Sequence, residues 1–297
     1  MLDRITPLIL TYNEAANIGR TLDQLAWADD IVVIDSFSDD ETIQIISKYS
    51  PVRVFQRKFD SFANQCNFGL QHANISTEWV LSLDADYILT RELIEEIKLV
   101  QGVDRISGLR APFIYCVYGK RLRSGIYPPV TILFRKAEAV YREDGHAHRV
   151  VVQGAVEDLN SPVLHDDRKP LKRWFWAQSH YSKREATKLI ATEPKALSWS
   201  DRIRRWRLIA PGAMFLYCLI IRGGLLDGWA GFYYAFQRMF AELMLSLYLI
   251  DHDLRQRSEG EVHIEDEEQS GIKEDDDASV VTKQLQTAEK QSAMGNS

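Results

Sequence analysis

Trp79-Val80-Leu81-Ser82-Leu83-Asp84-Ala85-Asp86 is the stretch that decides the fold, because an apolar run of strand length ends abruptly in two carboxylates one residue apart. A short apolar run with polar residues at its end is the pattern of a strand buried on both faces. Three more such runs precede it: Pro7-Leu8-Ile9-Leu10, Asp30-Ile31-Val32-Val33-Ile34-Asp35 and Val52-Arg53-Val54-Phe55. Helical periodicity fills the intervals and predicts helices over 15–25, 40–49, 62–72 and 91–101, the first capped by Asn13 and the second by Ser38 or Asp39. Strands alternating with helices build βαβ units around a mostly parallel sheet. In such a sheet the loops after the strands, beside helix N-termini, form the crevice that takes phosphate-bearing ligands. Asp84 and Asp86 fall at that edge.

An Asp-x-Asp pair there has a specific use. Hard cations such as Mg²⁺ and Mn²⁺ prefer oxygen ligands and share them between protein carboxylates and substrate phosphates. The pair alone is also common in ordinary loops, and its place after a buried strand is what favours a metal-diphosphate clamp. After the first strand, Thr11-Tyr12-Asn13-Glu14 offers Thr11, Asn13 and Glu14 as hydrogen-bonding groups for a base or ribose, although Asn13 and Glu14 would equally suit a helix start. After the second, in Asp35-Ser36-Phe37-Ser38-Asp39-Asp40-Glu41-Thr42, most carboxylates are read as capping groups and Asp35 as the acceptor for a uracil imide N–H.

Taken in order, Thr11-Tyr12-Asn13-Glu14, Asp35 to Thr42, Asn64-Gln65-Cys66-Asn67-Phe68-Gly69-Leu70 and Leu83-Asp84-Ala85-Asp86 resemble the family 2 glycosyltransferases, over about the first third of the chain. Within that family the pattern is most similar to the lipopolysaccharide core β-1,4-glucosyltransferase branch. The resemblance implies a GT-A fold with a mostly parallel central sheet, a nucleotide-sugar donor, a divalent metal (Mg²⁺ or Mn²⁺) and inversion at the anomeric carbon. It places Thr11, Asn13, Glu14 and Asp35 around the nucleoside, Asn67 near the donor, and Asp84 and Asp86 at the diphosphate and metal, with Asp86 the direct ligand. Many relatives carry a basic residue where this chain has Gln65 and Cys66.

An inverting transfer needs a general base for the acceptor hydroxyl. The family usually places it in the segment that is here Tyr141-Arg142-Glu143-Asp144-Gly145-His146-Ala147-His148-Arg149-Val150. Asp144 is the first choice and His146 the second, with His148 a further alternative; relatives commonly show a His-Glu pair where this chain has His148-Arg149.

The 297 residues carry a formal net charge of -6, concentrated in a carboxylate-rich run from Glu259 to Asp277. The remainder is near neutral, so overall charge says little about partners. Cys66, Cys116 and Cys218 have neither disulfide nor zinc-ligand spacing, and the start of the chain lacks a secretory signal pattern. A cytoplasmic protein is expected. The reading divides the chain into a catalytic domain at 1–165, with a nucleotide-sugar half at 1–110 and an acceptor half at 111–165 that holds strands at 111–117, 130–135 and 150–153. A basic, aromatic helical region follows at 166–257, and a disordered acidic tail at 258–297.

In the helical region, the apolar stretches Leu208 to Ile221 and Trp229 to Ile250 are broken by Pro211 and by Gln237, Arg238 and Glu242. Neither makes a clean membrane span. Basic residues interleaved with Trp174, Trp176, Trp199, Trp206 and Trp229 suit a peripheral position on the inner face of the cytoplasmic membrane, while packing on the catalytic domain or dimerisation remains open. No nucleic-acid recognition motif accompanies the basic residues. The leading expectation is hexosyl transfer from UDP-glucose or another UDP-sugar to a cell-envelope glycolipid or saccharide. The alternatives are transfer onto a polyprenyl phosphate and a non-catalytic nucleotide-sugar-binding scaffold; a nucleotidyltransferase would show a Gly-rich basic loop that Thr11 to Glu14 is not.

Overall fold

A computed structural model describes residues 1–144 and 147–258, with the side chains of 143–149 excepted. The four apolar runs are strands β1 (Ile5–Thr11), β2 (Ile31–Asp35), β3 (Val52–Gln56) and β4 (Trp79–Asp84). β1 lies between β2 and β4, and β2 beside β3, all parallel. The register sets Thr11 beside Asp35 and Leu10 beside Asp84, so the polar strand ends fall in one row. Helix α1 (Ile18–Asp23) follows β1, α2 (Thr42–Ile46) follows β2, and α3 (Phe62–His72) follows β3. After β4 come β5 (Tyr87–Leu89), α4 (Arg91–Leu99), β6 (Gly108–Ala111), β7 (Phe113–Val117), β8 (Lys120–Arg121) and β9 (Val130–Arg135). A hairpin of β10 (Ala139–Asp144) and β11 (Ala147–Val152) leads to β12 (Val156–Asp158) and β13 (Val163–His165).

The main sheet has the order β12-β6-β9-β4-β1-β2-β3, with β9 antiparallel to β4 and β6. A smaller sheet, β5-β13-β7-β8, stands beside the carboxylate end. This is the α/β GT-A architecture implied by the sequence resemblance. The strands predicted at 111–117, 130–135 and 150–153 correspond to β7, β9 and β11.

Both faces of the main sheet are covered, which is why its strands read as continuous apolar runs rather than alternating ones. On one face Ile5, Ile9, Ile31, Val33 and Leu81 pack with Ile18 and Leu22 of α1 and Leu93 and Ile97 of α4. On the other, Leu8, Val32, Ile34 and Val80 meet Ala63, Cys66 and Leu70 of α3. The approach of α3 is so close that a Cβ on Gly69 would stand 2.6 Å from Leu8 Cδ1 and 3.2 Å from Ile34 Cγ1.

The first two helices begin later than the sequence predicts. α1 starts at Ile18 with Asn17 as N-cap, and α2 at Thr42 with Glu41. Asn13 is not a cap: its φ of 56° puts it in the left-handed region, and its side chain is spent on the neighbouring loop. The amide donates to Asp39 Oδ1 at 2.7 Å and accepts from Asp39 N at 2.9 Å, while Asn13 N donates to Ser38 Oγ at 2.9 Å. The two strand-end loops are thereby tied together.

The chain divides into a compact unit, Met1–Ser246, and a second, Leu247–Ser297, in which residues 247–258 are helical. In the first unit the sheets are followed by α5 (Leu171–Ala191), α6 (Trp199–Arg204) and α7 (Ala210–Leu216). The coil continues as a π-helical run, Tyr217–Ile221, and a 3₁₀ turn, Gly224–Asp227, before a last helix, α8, starts at residue 229. Cys218 and Leu219 pack there with Ala230, Tyr234 and Ala235 of α8 and with Val117 of β7. Among the described residues no helix is long and apolar enough to cross a membrane.

Candidate active site

Beyond the ends of β1 and β4 lies a cleft of about 780 Å³, walled on its far side by α5 and α8. Thr11, Glu14, Asp84 and Asp86 of the predicted site line it, with Ser36 and Gln65. Asp86 emerges just after β4 and is buried, and its backbone oxygen accepts from Asp166 N at 3.1 Å. Its Oδ2 stands 3.2 Å from His165 Nε2, whereas Oδ1 has no hydrogen-bond partner among the described residues. A buried carboxylate oxygen without a partner carries a full desolvation cost, and a ligand supplying a proton or positive charge removes it.

His165 is the residue that sequence reasoning missed. It ends β13, with Tyr87 opposite it and Tyr115 beside it in the small sheet. Its ring is stacked on Tyr115, centroids 4.8 Å apart and planes at 27°. Burial alone would lower its pKa, but the carboxylate of Asp86, with smaller help from Asp84, overrides this and lifts it to about 9. Burial likewise pushes Asp86 upward, and the His165 contact more than reverses the effect, holding the carboxylate ionised. A signal did exist: Val163-Leu164-His165-Asp166-Asp167 repeats the strand-then-polar pattern of Leu83 to Asp86, but nothing local shows that the two strand ends meet.

The segment after His165 closes over the first loop. Asp167 accepts from Asn17 Nδ2 at 2.9 Å, and Asp166 accepts from Arg20, Arg168 and the Gly119 N–H. Lys169 Nζ lies 2.5 Å from Glu14 Oε1, and Asn17 Nδ2 donates to Glu14 Oε2 at 2.9 Å. Burial raises the Glu14 carboxyl to about 7, with Lys169 offsetting only part of the rise. Glu14 is thus a clefted carboxylate held by a lysine from 155 residues further on.

Other predicted residues sit differently. Asp35 is fully buried, and its oxygens accept from Thr11 Oγ1 (3.0 Å), Ser38 N (3.0 Å), Ser38 Oγ and Gln56 Nε2 (3.3 Å). A carboxylate has about four lone-pair positions, so Asp35 is saturated by the strand ends it holds. Asn67 is not brought to the cleft: its amide donates to Tyr141 O at 3.0 Å and accepts from Tyr141 N at 2.9 Å, fastening α3 to β10. Gln65 takes the cleft position instead and donates to Ser36 Oγ at 2.9 Å. The backbone of Asp144 ends β10, while its side chain and that of His148 lie outside what is described, as does all of His146.

A row of strand-end oxygens beneath a cleft of nucleotide-sugar size is where the sequence motifs and the geometry coincide, and residues 8–137 match the family described as Glycosyl transferase family 2. The chain carries a family 2 glycosyltransferase domain. A lipopolysaccharide core biosynthesis glycosyltransferase, LpsC, of Rhizobium meliloti (strain 1021) is 24% identical over 235 residues, 74% of this chain and 82% of that one. An uncharacterized glycosyltransferase of Rickettsia bellii (strain RML369-C) is 26% identical over 203 residues, 63% of this chain and 68% of its own length. Among solved structures, S. aureus TarS 1-349 in complex with UDP-GlcNAc aligns over 85% of this chain and 92% of its own, with 14% identity and a TM-score of 0.44. The glycosyltransferase domain contributes β1 to β4 and the Asp84/Asp86 pair, but His165, Lys169 and the helical wall all come from beyond the matched residues.

Proposed function

We propose that this glycosyltransferase moves a hexose, glucose in the first instance, from a UDP-sugar to a cell-envelope glycolipid with inversion. The observation that carries the reading is the unpartnered, buried Oδ1 of Asp86 in the cleft that Thr11, Glu14 and Ser36 also line. Among the described residues no group of three metal-ligating side chains is assembled. Asp84 and Asp86 therefore suit a cation of the Mg²⁺ or Mn²⁺ kind, which takes few protein carboxylates and completes its shell with substrate phosphates. Such an ion supplies charge neutralisation to a departing diphosphate. The chain's own part is to hold Asp86 ionised through His165, to fix the strand-end loops through Asp35 and Asn13, and to seat the nucleoside against Thr11 and Glu14. Asp144 is the proposed base for the acceptor hydroxyl.

The acceptor reading draws support from the outer surface of the helical region. Leu208 is 87% exposed, Ile221 73% and Leu226 75%, and Arg202, Arg205 and Arg222 are exposed near them in sequence. Aliphatic tips with basic neighbours suit an anionic lipid surface, and a peripheral site there brings a glycolipid within reach.

The test is hydrolysis and binding of UDP-, GDP- and dTDP-sugars, with and without Mn²⁺, by the full chain and by Asp86→Ala. Metal-dependent turnover of one donor, lost in the variant, is the expected result. Folded protein that binds no nucleotide sugar would refute the reading. Co-flotation with vesicles containing phosphatidylglycerol, reduced by Ile221→Glu, is the result expected of the membrane surface.

A further inference from the structure

The far wall of the cleft contains a guanidinium that makes no hydrogen bond among the described residues. Arg238 projects from the third turn of α8 into the cleft lining, with its side chain only 16% exposed. Its Nε has no hydrogen-bond partner, and the guanidinium takes part in no hydrogen bond among the described residues. The carboxylate beside it, Glu242 Oε1, is 3.9 Å from Nη2 and is engaged elsewhere: Arg204 Nη2 lies 3.1 Å from the same oxygen. Arg204 also reaches Glu185 Oε1 at 3.1 Å, so two carboxylates and two guanidinium groups balance in charge, and what Arg238 lacks is hydrogen-bond partners for its fork.

A buried guanidinium offers five N–H donors in a fixed fork and cannot shed its proton. Leaving those donors unmet inside a protein is costly, and a planar or tetrahedral oxyanion is the partner that matches the fork. The approach to it is also built. From His165 the ring of Tyr115 is stacked at 4.8 Å, Tyr234 lies 5.1 Å from Tyr115, and Arg238 stands one helical turn beyond Tyr234 on the same face of α8. Tyr127 also stacks on Tyr115, centroids 5.8 Å apart. Tyr234 is buried, so Tyr127, 42% exposed in the cleft, is the ring that can meet the apolar face of a sugar along this aromatic row. The row runs from the Asp86–His165 pair to the guanidinium.

We propose that Arg238 is an acceptor subsite for an oxyanion, a phosphate or carboxylate carried by the sugar next to the one that receives the transferred hexose. This rests on the glycosyltransferase reading of the cleft and deepens it: the acceptor is an anionic saccharide, recognised at a point set back from the reacting hydroxyl. A phosphate that was itself the nucleophile would have to sit at the carboxylate end of the cleft, not behind the tyrosine wall.

The experiment titrates glucose 6-phosphate, glucuronate and uncharged glucose into the full chain saturated with UDP and Mg²⁺, by calorimetry, for wild type, Arg238→Gln and Arg238→Lys. The expected result is that one or both anionic sugars bind wild type at least tenfold more tightly than glucose. Preference for glucose 6-phosphate marks a phosphate and preference for glucuronate a carboxylate. Arg238→Gln abolishes the preference, and Arg238→Lys, which keeps the charge but loses the fork, retains part of it. UDP binding without discrimination among the three sugars by wild type overturns the subsite alone, whether or not either variant folds. An unchanged preference in Arg238→Gln overturns it too, as does a tenfold loss of UDP affinity in that variant, which would give the guanidinium to the donor diphosphate. Failure of UDP to bind wild type overturns the reading of the cleft, and the subsite with it.

Discussion

The two walls of the cleft hold their charges in opposite ways. On the sheet wall, carboxylates stand at the ends of buried strands and nearly every oxygen is committed: Asp35 to four donors, Glu14 to Lys169 and Asn17, and Asp86 to His165 through one oxygen only. On the helical wall the charges are borne on helices and pair across them, as Arg204 at the end of α6 does with Glu185 of α5 and Glu242 of α8. Strand ends fix a group by backbone register, so a few short residues suffice. Helices fix a group by packing, and a long side chain must then find a partner or a ligand. Among the described residues Asp86 Oδ1 and His165 Nδ1 lack a hydrogen-bond partner on the first wall and Arg238 Nε on the second, and Asp86 and Arg238 carry opposite charge.

The sharpest way to break this contrast is at Asp86. Asp86→Ala is expected to lower transfer by about a thousandfold, several kcal/mol of transition-state stabilisation, while the far-UV circular dichroism of the protein is retained. Comparable loss of turnover with loss of fold would reassign the residue to the core. Next in size is Glu242→Ala, which takes from the buried Arg238 its nearby carboxylate and from Arg204 one of the carboxylates that hold it. A cost of about 3–5 kcal/mol is expected, read by chemical denaturation, and a loss below about 1 kcal/mol would show that the helical wall does not depend on its ion pairs. The Asp86–His165 pair should reveal itself in metal-free protein through pH. A histidine raised from 6.5 to about 9 adds stability that is fully present below pH 6.5 and is lost as pH rises through about 9. The span is about 3 kcal/mol, and His165→Gln is expected to flatten that part of the profile. Gly69→Ala should cost about 1–3 kcal/mol through overpacking against Leu8 and Ile34. Smallest is Arg110→Ala, which removes an exposed pair with Asp158 and is expected to leave the midpoint of chemical denaturation unchanged.

The same contrast explains what could be read from sequence. Strand ends announce themselves locally: Leu83-Asp84-Ala85-Asp86 shows both the apolar run and the carboxylates, and Thr11 and Asp35 occupy equivalent positions after their own strands. The role of Asn67 was not legible, because an amide fastening a neighbouring backbone and an amide meeting a ligand look alike in a helix. His165 was visible only as a polar residue after a short apolar stretch, since its partner is 79 positions earlier. Gln237, Arg238 and Glu242 were legible as interruptions of an apolar helix, but the sequence cannot say that they face a cleft rather than solvent. The later starts of α1 and α2 have a related cause: Asn13, Ser38 and Asp39 have the chemistry of caps, and they use it between loops.

The bond from Lys169 to Glu14 spans 155 residues. During synthesis, the first loop would emerge from the ribosome long before the lysine that neutralises its buried glutamate, and contacts of such sequence separation form late because loop closure must come first. A chain cut near residue 137 would have the four parallel strands and the Asp84/Asp86 pair but lack both His165 and Lys169. The part of the protein that looks most like an enzyme is therefore unfinished without the part that looks least like one.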